Sequence, residues 1–323
     1  MAGSGSWARV TWRDWQDLDT IVGHLEAGAD PDAWGPHGGR PLHRAVQFGT
    51  PEVVSELARR VTDVDAPESG TTALWHAVVA NRPEVARALV AAGADPWRAQ
   101  CGGWSAGRLA LAGPTPELFP RPEGEPGLSA SEESAVREAR RLIAALGDLD
   151  AEGMGLACVA GIDAEEARRR LSASPVAGDR LDEAEGDPEA HGLSCDFSHD
   201  SYDDAIVGLT TVPGGCVVAQ PWGYEPQRLE VQALLSAGTV SYGFYGNPKS
   251  GDQGSVVRDG VVEGSDLHPG GGPYDDDTPE EVLAAYLYHH QPVAYACAYA
   301  GLRLTDARAI VGPPEMWVEL PRI

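Results

Sequence analysis

Lysine, paired cysteines and long apolar runs are scarce in this sequence, and each scarcity narrows what the protein can be. Lys249 is the single lysine among 24 basic residues, in a chain rich in Ala, Gly, Pro and Arg. This composition is typical of a high-GC bacterial coding sequence. The five cysteines are an odd number without a C-x-x-C pair, which favours reduced thiols in a cytosol over a disulfide framework.

Apolar segments of the length that membranes require are also missing. The sequence starts MAGSGSWARVTW, without the apolar stretch that a secretory signal needs. The longest apolar run, VAYACAYAGL at 293–302, is too short to cross a bilayer. We therefore expect a soluble, cytoplasmic protein with no membrane partner.

Acidic residues are abundant by contrast. The 323 residues carry a net charge of −25. This charge argues against nucleic acid or an anionic membrane as a partner, and it favours a basic protein partner. The chain is long enough for two domains.

A repeat with a period near 33 occupies the first third of the chain. LEAGADPDAWG (25–35) returns as LVAAGADPWRA (89–99), and a diverged copy, RRVTDVDAPES (59–69), lies between them. Asp30, Asp63 and Asp95 are therefore spaced 33 and then 32 residues apart. Such a period indicates stacked structural units.

Each repeat predicts a pair of short helices. PLHRAVQF (41–48) and PEVVSEL (51–57) have helical apolar spacing, and proline starts the second helix. We expect Gly49 to supply a left-handed turn between them, with Asn81 at the equivalent position of the next repeat. Neither helix can bury its apolar face alone, so the units must stack.

The segment PLHRA stands where ankyrin repeats carry T-P-L-H-x-A, and GAD stands where their loop begins. Over residues 10 to 112 the sequence resembles the ankyrin-repeat family, with a partial first unit, two good units and a degenerate last unit. The resemblance implies a helix-pair stack whose concave face binds a protein. It also implies that His43 bonds the backbone of the neighbouring turn. No nucleophile or carboxylate recurs beside this histidine in the repeats, which argues against a catalytic role.

Candidate partner-binding residues follow from the same resemblance. The residues expected on the inner face are Arg44, Gln47, Phe48, His76 and Val79. Those expected at loop tips are Trp34, His37, Glu68, Arg98 and Trp104. Exposed aromatic and arginine side chains are favoured at protein interfaces. The alternative for Trp34 and Trp104 is that they only cover the ends of the stack.

The remaining sequence predicts a different fold. Residues 1–113 form the repeat domain, 114–149 a linker and connecting helix, and 150–323 an α+β domain. The fold class is therefore mixed, an all-α ankyrin-type stack followed by a separate α+β domain. The predicted strands include one at 154–161, a hairpin at 205–220, a single run at 255–264 and a final edge strand at 316–320.

The second half also resembles an uncharacterised bacterial domain family, in GIDAEEARRRL and in PWGY…LSAGTVSYGFYGN. That resemblance implies no activity. Helices are predicted at 163–171, at 226–238 and from a capping box at Thr278.

One cluster in the second half has the residue types of a metal site. His191, Cys195 and His199 are spaced by four, and on a helix they would share one face, as a zinc site needs. Gly192 and the surrounding Ser and Asp favour a loop instead. We therefore predict no metal and no cofactor.

Two functions remain open at this point. The first is a non-enzymatic interaction protein, of which an acidic immunity-type protein is a more specific form. The second is an enzyme whose active site lies in the C-terminal domain, near residues 191–204 or among the aromatic strand residues Trp222, Tyr224, Tyr242, Phe244 and Tyr245.

Overall fold

The computed structural model of the protein describes residues 6–35, 38–177 and 206–321. Contacts divide the chain into two compact units, the first made of residues 1–136 with 272–287 and the second of the remaining residues. The domain boundaries given above stay a prediction, and the sequence does not predict that residues 272–287 pack with the repeats.

The regular elements of the described part are short. The helices are α1 (Leu18–Glu26), α2 (Pro41–Phe48), α3 (Pro51–Ala58), α4 (Ala73–Val79), α5 (Pro83–Ala91), α6 (Ala106–Ala112), α7 (Ala130–Leu146), α8 (Ala164–Leu171), α9 (Leu229–Leu235), α10 (Pro279–Leu287), α11 (Pro292–Tyr299) and α12 (Arg308–Val311). The strands are β1 (Gly155–Ala160), β2 (Ser174–Pro175), β3 (Ile206–Val212), β4 (Gly215–Gln220), β5 (Val240–Asn247), β6 (Gly251–Arg258), β7 (Val261–Leu267) and β8 (Met316–Glu319). Short 3-10 helices lie at Trp7–Arg9, Asp14–Gln16, Cys101–Gly103 and Glu225–Gln227.

Helices of the first unit begin where the sequence supplies a start signal. Proline is the first residue of α2, α3 and α5, a position whose amide hydrogen has no helical partner. Thr50, Thr72 and Ser105 cap α3, α4 and α6, because each side-chain oxygen accepts a backbone amide hydrogen.

These helices form two layers. In one layer, the 3-10 helix at Asp14–Gln16 packs against α2, α2 against α4, and α4 against α6. In the other layer, α1 packs against α3 and α3 against α5. A single hydrophobic cluster joins the layers, and it contains both members of the aligned pairs Leu42 with Leu74 and Leu57 with Leu89. The helical ankyrin-like region predicted from the sequence is confirmed.

The turn at Gly49 differs from the prediction. Asn81 has a φ of 50°, as expected, but Gly49 is extended, with φ −89° and ψ 176°. A Cβ at Gly49 would lie 2.8 Å from the carbonyl oxygen of Ala45 and 2.9 Å from that of Trp15. Gly49 is therefore required by close backbone approach and not by a left-handed conformation.

Residues 272–287 complete the first unit at its last repeat. The predicted capping box is present, because the Glu281 carboxylate accepts from Thr278 N at 2.8 Å while Thr278 Oγ1 accepts from Glu281 N. α10 follows, and its Val282, Leu283 and Tyr286 join the repeat core. The core of the repeats thus includes a helix from much later in the chain.

The second unit is built on one antiparallel sheet, in the order β2-β8-β3-β4-β1-β5-β6-β7. The predicted strand at 154–161 is β1, near the middle of the sheet, and the predicted hairpin at 205–220 corresponds to β3 and β4. Together with the helical first part, the sheet and its helices confirm the mixed, α+β fold class.

Two strand predictions are wrong. The run at 255–264 is part of two strands, because Asp259 and Gly260 both have positive φ and turn the chain between β6 and β7. Asp-Gly is a strong hairpin signal for this reason. β8 lies between β2 and β3 and not at an edge, since the two-residue strand β2 pairs with its outer side.

Helices cover the sheet, and successive residues of β1 alternate between its faces. Ala157 and Val159 join a cluster with residues of α8 and α9, whereas Cys158 faces α11, where its Sγ lies 3.7 Å from that of Cys297. Within the described ranges, no helix is both long enough and apolar enough to span a bilayer.

Candidate functional site

The layer formed by α2, α4 and α6, which we call the inner layer, carries five of the ten candidate residues. Arg44, Gln47 and Phe48 share one side of α2, because side chains three and four positions apart are neighbours on a helix. Gln47 is exposed, and Arg44 and Phe48 are half-buried. This side of α2 can therefore be contacted from outside the stack.

Hydrogen bonds hold Arg44 in place. Its Nε and Nη2 donate to the carbonyl oxygen of Gly38 at 3.0 and 2.8 Å, and its Nη1 donates to Gln47 Oε1 at 3.2 Å. The guanidinium thus has a fixed position, which reduces the entropy that a bound partner would remove.

His43 has a structural role. Its side chain is 8% exposed, and Nε2 lies 3.3 Å from the carbonyl oxygen of Thr71 in the next repeat, the backbone contact expected above. Burial lowers the pKa of His43, and the nearby Glu68 carboxylate, 3.7 Å from Nδ1, opposes that effect. A neutral ring that bonds the neighbouring turn stabilises the stack.

The inner face around α4 lies beside the chain's own residues. His76 is exposed and Val79 is half-buried, and His76 Nε2 lies 2.9 Å from Thr71 Oγ1. A Cβ at Gly272 would lie 3.4 Å from Val79. Residues from the segment 272–287 therefore border this part of the face.

A second residue of the segment 272–287, Asp275, lies beside Cys101. The Cys101 thiol lies 3.6 Å from Asp275 Oδ1. Burial, together with this carboxylate, raises the pKa of Cys101 to about 11. A thiol with so high a pKa is a poor nucleophile near neutral pH, so this cysteine offers no reactive group.

The candidate loop-tip residues have different environments. Trp34 is 62% exposed, and Arg98 is exposed, with Nη1 3.2 Å from the carbonyl oxygen of Asp65. Glu68 is half-buried, and its Oε2 accepts from the backbone nitrogen of Arg40 at 2.6 Å. His37 lies outside the described residues.

Trp104 is a correction to the predicted set. Its side chain is fully buried, Nε1 donates to the carbonyl oxygen of Pro279 at 2.9 Å, and the Arg108 guanidinium lies 4.2 Å from the ring centroid. A partner cannot contact this ring. The alternative, that Trp104 covers an end of the repeats, agrees with its position beside α10.

The sequence interpretation missed a groove beside α2. This groove has a volume of about 490 Å³. It is lined by residues 7–12 and Trp15, by the glycines at 35, 38 and 39, and by Pro41, Arg44 and Phe48 of α2. Three tryptophans line it, namely Trp7, Trp12 and Trp15. The only sign of this groove in the sequence is the presence of three tryptophans close together before the repeats. These tryptophans are not part of the repeat motif.

In the described parts of the chain, no group of three or more His, Cys, Asp or Glu side chains is suited to a metal ion. His191, Cys195 and His199 lie outside the described residues. Cys101, Cys158, Cys216 and Cys297 are free thiols.

The aromatic strand residues of the second unit split into two groups. Tyr242 and Phe244 are fully buried on β5, so they belong to the core. Trp222 and Tyr224 are 41% and 48% exposed, and Tyr224 meets Tyr245 edge to face at 5.6 Å. Among the described residues of this unit, the first two rings therefore lie in the packed core and the other two lie at the surface.

Comparison with known proteins supports the repeat assignment. Residues 15–100 match the family model for ankyrin repeats, in three copies. Comparison with curated proteins finds no significant match. Residues 15–100 are thus similar to ankyrin repeats, a class of structure that generally mediates protein–protein interactions. The resemblance of the second half to a bacterial domain family stays a prediction.

Proposed function

We propose that this protein is a non-enzymatic interaction protein that binds a protein partner through the inner side of α2. The observation that carries the proposal is the exposed side of α2, where Arg44, Gln47 and Phe48 adjoin a tryptophan-lined groove. Arginine and aromatic side chains are the residues that dominate binding energy at interfaces.

The position of the chain's own segment supports this choice. Asp275 and Gly272 lie beside the inner face of the later repeats, close to Gly70 and Val79. The groove beside α2 is lined by residues of the earlier part of the stack. A partner would therefore reach the inner layer most readily at α2.

The finer features of the proposal rest on charge and cysteine chemistry. The net charge of −25 favours a partner that is basic overall, because opposite charges accelerate encounter. An immunity-type protein that masks a basic effector is one form of this function. The four described cysteines are free thiols, which favours the reducing cytoplasm.

The alternative of an enzyme with its site in the second unit has no specific observation in its favour. The segment on which it depends, residues 191–204, lies outside the described residues. On the inner face the His43 ring bonds the Thr71 carbonyl oxygen, and no nucleophile–base pair accompanies it within the described residues. We propose that the second unit is an accessory binding module.

Site-specific photo-crosslinking of the full chain tests the proposal. A benzophenone side chain is placed at Gln47, on the exposed side of α2, and in a matched variant at Arg87, which is exposed on α5 in the other layer. We expect one protein to cross-link from position 47 and not from position 87. Identical products from both positions, or none from position 47, would contradict the proposed function.

A further inference from the structure

The groove beside α2 has a rigid aromatic wall. Trp7 stacks on Trp15 with ring centroids 5.5 Å apart, and Trp7 Nε1 donates to the carbonyl oxygen of Asp30 at 2.7 Å. Each of these two side chains is 6% exposed. We refer to this site as the tryptophan–arginine groove, defined by Trp7, Trp12, Trp15, Arg9, Arg44 and Phe48.

One aromatic ring of the groove projects into solvent. Trp12 is 57% exposed, and the Arg13 guanidinium lies 4.9 Å from its ring centroid. Phe48 is half-buried across the groove. These rings offer an apolar surface that a leucine, proline or aromatic side chain of a partner would cover.

The charge of the groove is opposite to that of the whole chain. Among the described residues that line it, the charged ones are Arg9 and Arg44, although the chain carries −25 overall. Arg9 is exposed, and its side chain makes no hydrogen bond or ion pair within the described residues. Its guanidinium is therefore available to a carboxylate, which it can bind through two parallel hydrogen bonds.

Two carboxylates of this part of the unit, those of Asp14 and Glu68, already have partners. Asp14 Oδ2 accepts from both the backbone nitrogen and the hydroxyl of Thr11, at 2.7 and 2.8 Å, and Glu68 accepts from Arg40 N. The bonds from Thr11 also lower the pKa of Asp14. Neither carboxylate forms an ion pair with Arg9 or Arg44 within the described residues.

We propose that the tryptophan–arginine groove binds an acidic, extended peptide segment of the partner protein. One apolar side chain of that segment packs against Trp12 and Phe48, and a neighbouring aspartate or glutamate pairs with Arg9 and Arg44. The inference rests on the proposed function and names the local chemistry of the partner. It is independent of the partner's overall charge, because it concerns only the segment that enters the groove.

Peptide arrays probed with the full-length protein test this inference. One array alternates aspartate or glutamate with leucine, tryptophan or proline, and a matched array replaces each acidic residue by lysine. We expect binding to the acidic array alone, with an affinity that falls as salt is added, because the charged contacts are exposed. Equal binding to both arrays, or binding to the lysine array alone, would overturn the inference.

Matched variants locate the binding. Arg9→Glu and Trp12→Ala should each weaken the best acidic peptide by about tenfold or more. Arg87→Glu makes the same charge change on α5, and Tyr299→Ala removes another exposed aromatic ring, on α11 of the second unit. Both controls should leave the affinity unchanged. Loss of affinity that is equal in the controls would overturn the assignment to this groove.

A second copy of the chain is the other occupant to distinguish. Sedimentation of the full chain that shows a dimer dissociated by Arg9→Glu would overturn the inference. If cross-linking from position 47 identifies a partner but acidic peptides do not bind, this inference fails and the proposed function stands. If no partner cross-links from position 47 while acidic peptides bind the groove, the proposed function fails on its own.

Discussion

Gly49 and Arg82 show how single residues join two repeats. Gly49 lets the backbone pass close to the carbonyl oxygens of Ala45 and Trp15. The Arg82 guanidinium, from the following repeat, donates to the carbonyl oxygens of Val46 and Gly49. At this junction, the following repeat therefore satisfies carbonyl groups at the end of α2.

Substitution of Gly49 by alanine should destabilise the first unit by about 1–3 kcal/mol, because the added methyl group has no space. Gly23 provides a matched control, since it lies within α1 and a Cβ there would meet nothing within 4 Å. Gly23→Ala should stabilise the unit by about 0.5–1 kcal/mol through helix propensity. Urea unfolding measures both changes, and destabilisation of similar size in the two variants would contradict this account of Gly49.

His43 predicts a pH dependence of stability. Its pKa is lowered in the folded state, mainly by burial, so below the ordinary value of about 6.5 the unfolded chain binds more protons than the folded chain. Stability should therefore decrease as the pH falls through about 6.5 towards the folded pKa. Glu68, His76 and Arg40 are the charged or titratable groups that act on the ring.

Replacement of His43 by glutamine should make this decrease smaller, although the variant is less stable at neutral pH. Urea unfolding at about pH 7.5 and about pH 5.5, on either side of the histidine range, measures the difference. Hydrogen exchange in α2 and α4 assigns it to the repeats. An unchanged pH dependence in the variant would show that His43 is not the responsible group.

At the scale of elements, α10 is the least expected part of the repeat unit. Its start is predictable, because the capping box is local to residues 278–281. Its docking is not predictable from a repeat period, since the Trp104–Pro279 hydrogen bond joins residues 175 positions apart. The buried position of Trp104 could not be predicted for the same reason.

Truncation of Val282 should reveal the contribution of α10. Val282 is fully buried, and its Cγ2 lies next to the site of a Cβ at Gly102. Val282→Ala should lower the stability of the first unit by about 1–3 kcal/mol and increase hydrogen exchange in α6. Glu280→Ala, at an exposed position of the same helix, should leave both unchanged. If α6 exchanges equally in the two variants, α10 does not support the repeats.

For the whole molecule, the sequence predicts those elements whose residues follow a regular pattern, such as a repeat or a continuous apolar run. The helix pairs follow from aligned leucines such as Leu42 and Leu74, and β1 follows from a continuous buried run. The strand order and the place of β8 depend on pairings distant in the chain, which local patterns do not encode.

The candidate site also has a part that the sequence predicts and a part that it does not. Arg44, Gln47 and Phe48 were predictable because α2 has a regular helical period, and the structure places them on one exposed side. The groove that adjoins them was not predictable, because Trp7, Trp12 and Trp15 precede the first complete repeat. Trp7 and Trp15 lie in two separate 3-10 helices, whose rings meet through tertiary packing that local patterns do not encode.

The affinity of the full-length chain for the partner cross-linked from position 47 tests the central claim most directly. Arg44→Glu should raise the dissociation constant by about tenfold or more, whereas Arg87→Glu, an equal change in charge on α5, should not alter it. Circular dichroism of both variants checks that the fold is retained. Equal affinities of the two variants for the partner would contradict the claim that the inner side of α2 is the binding surface.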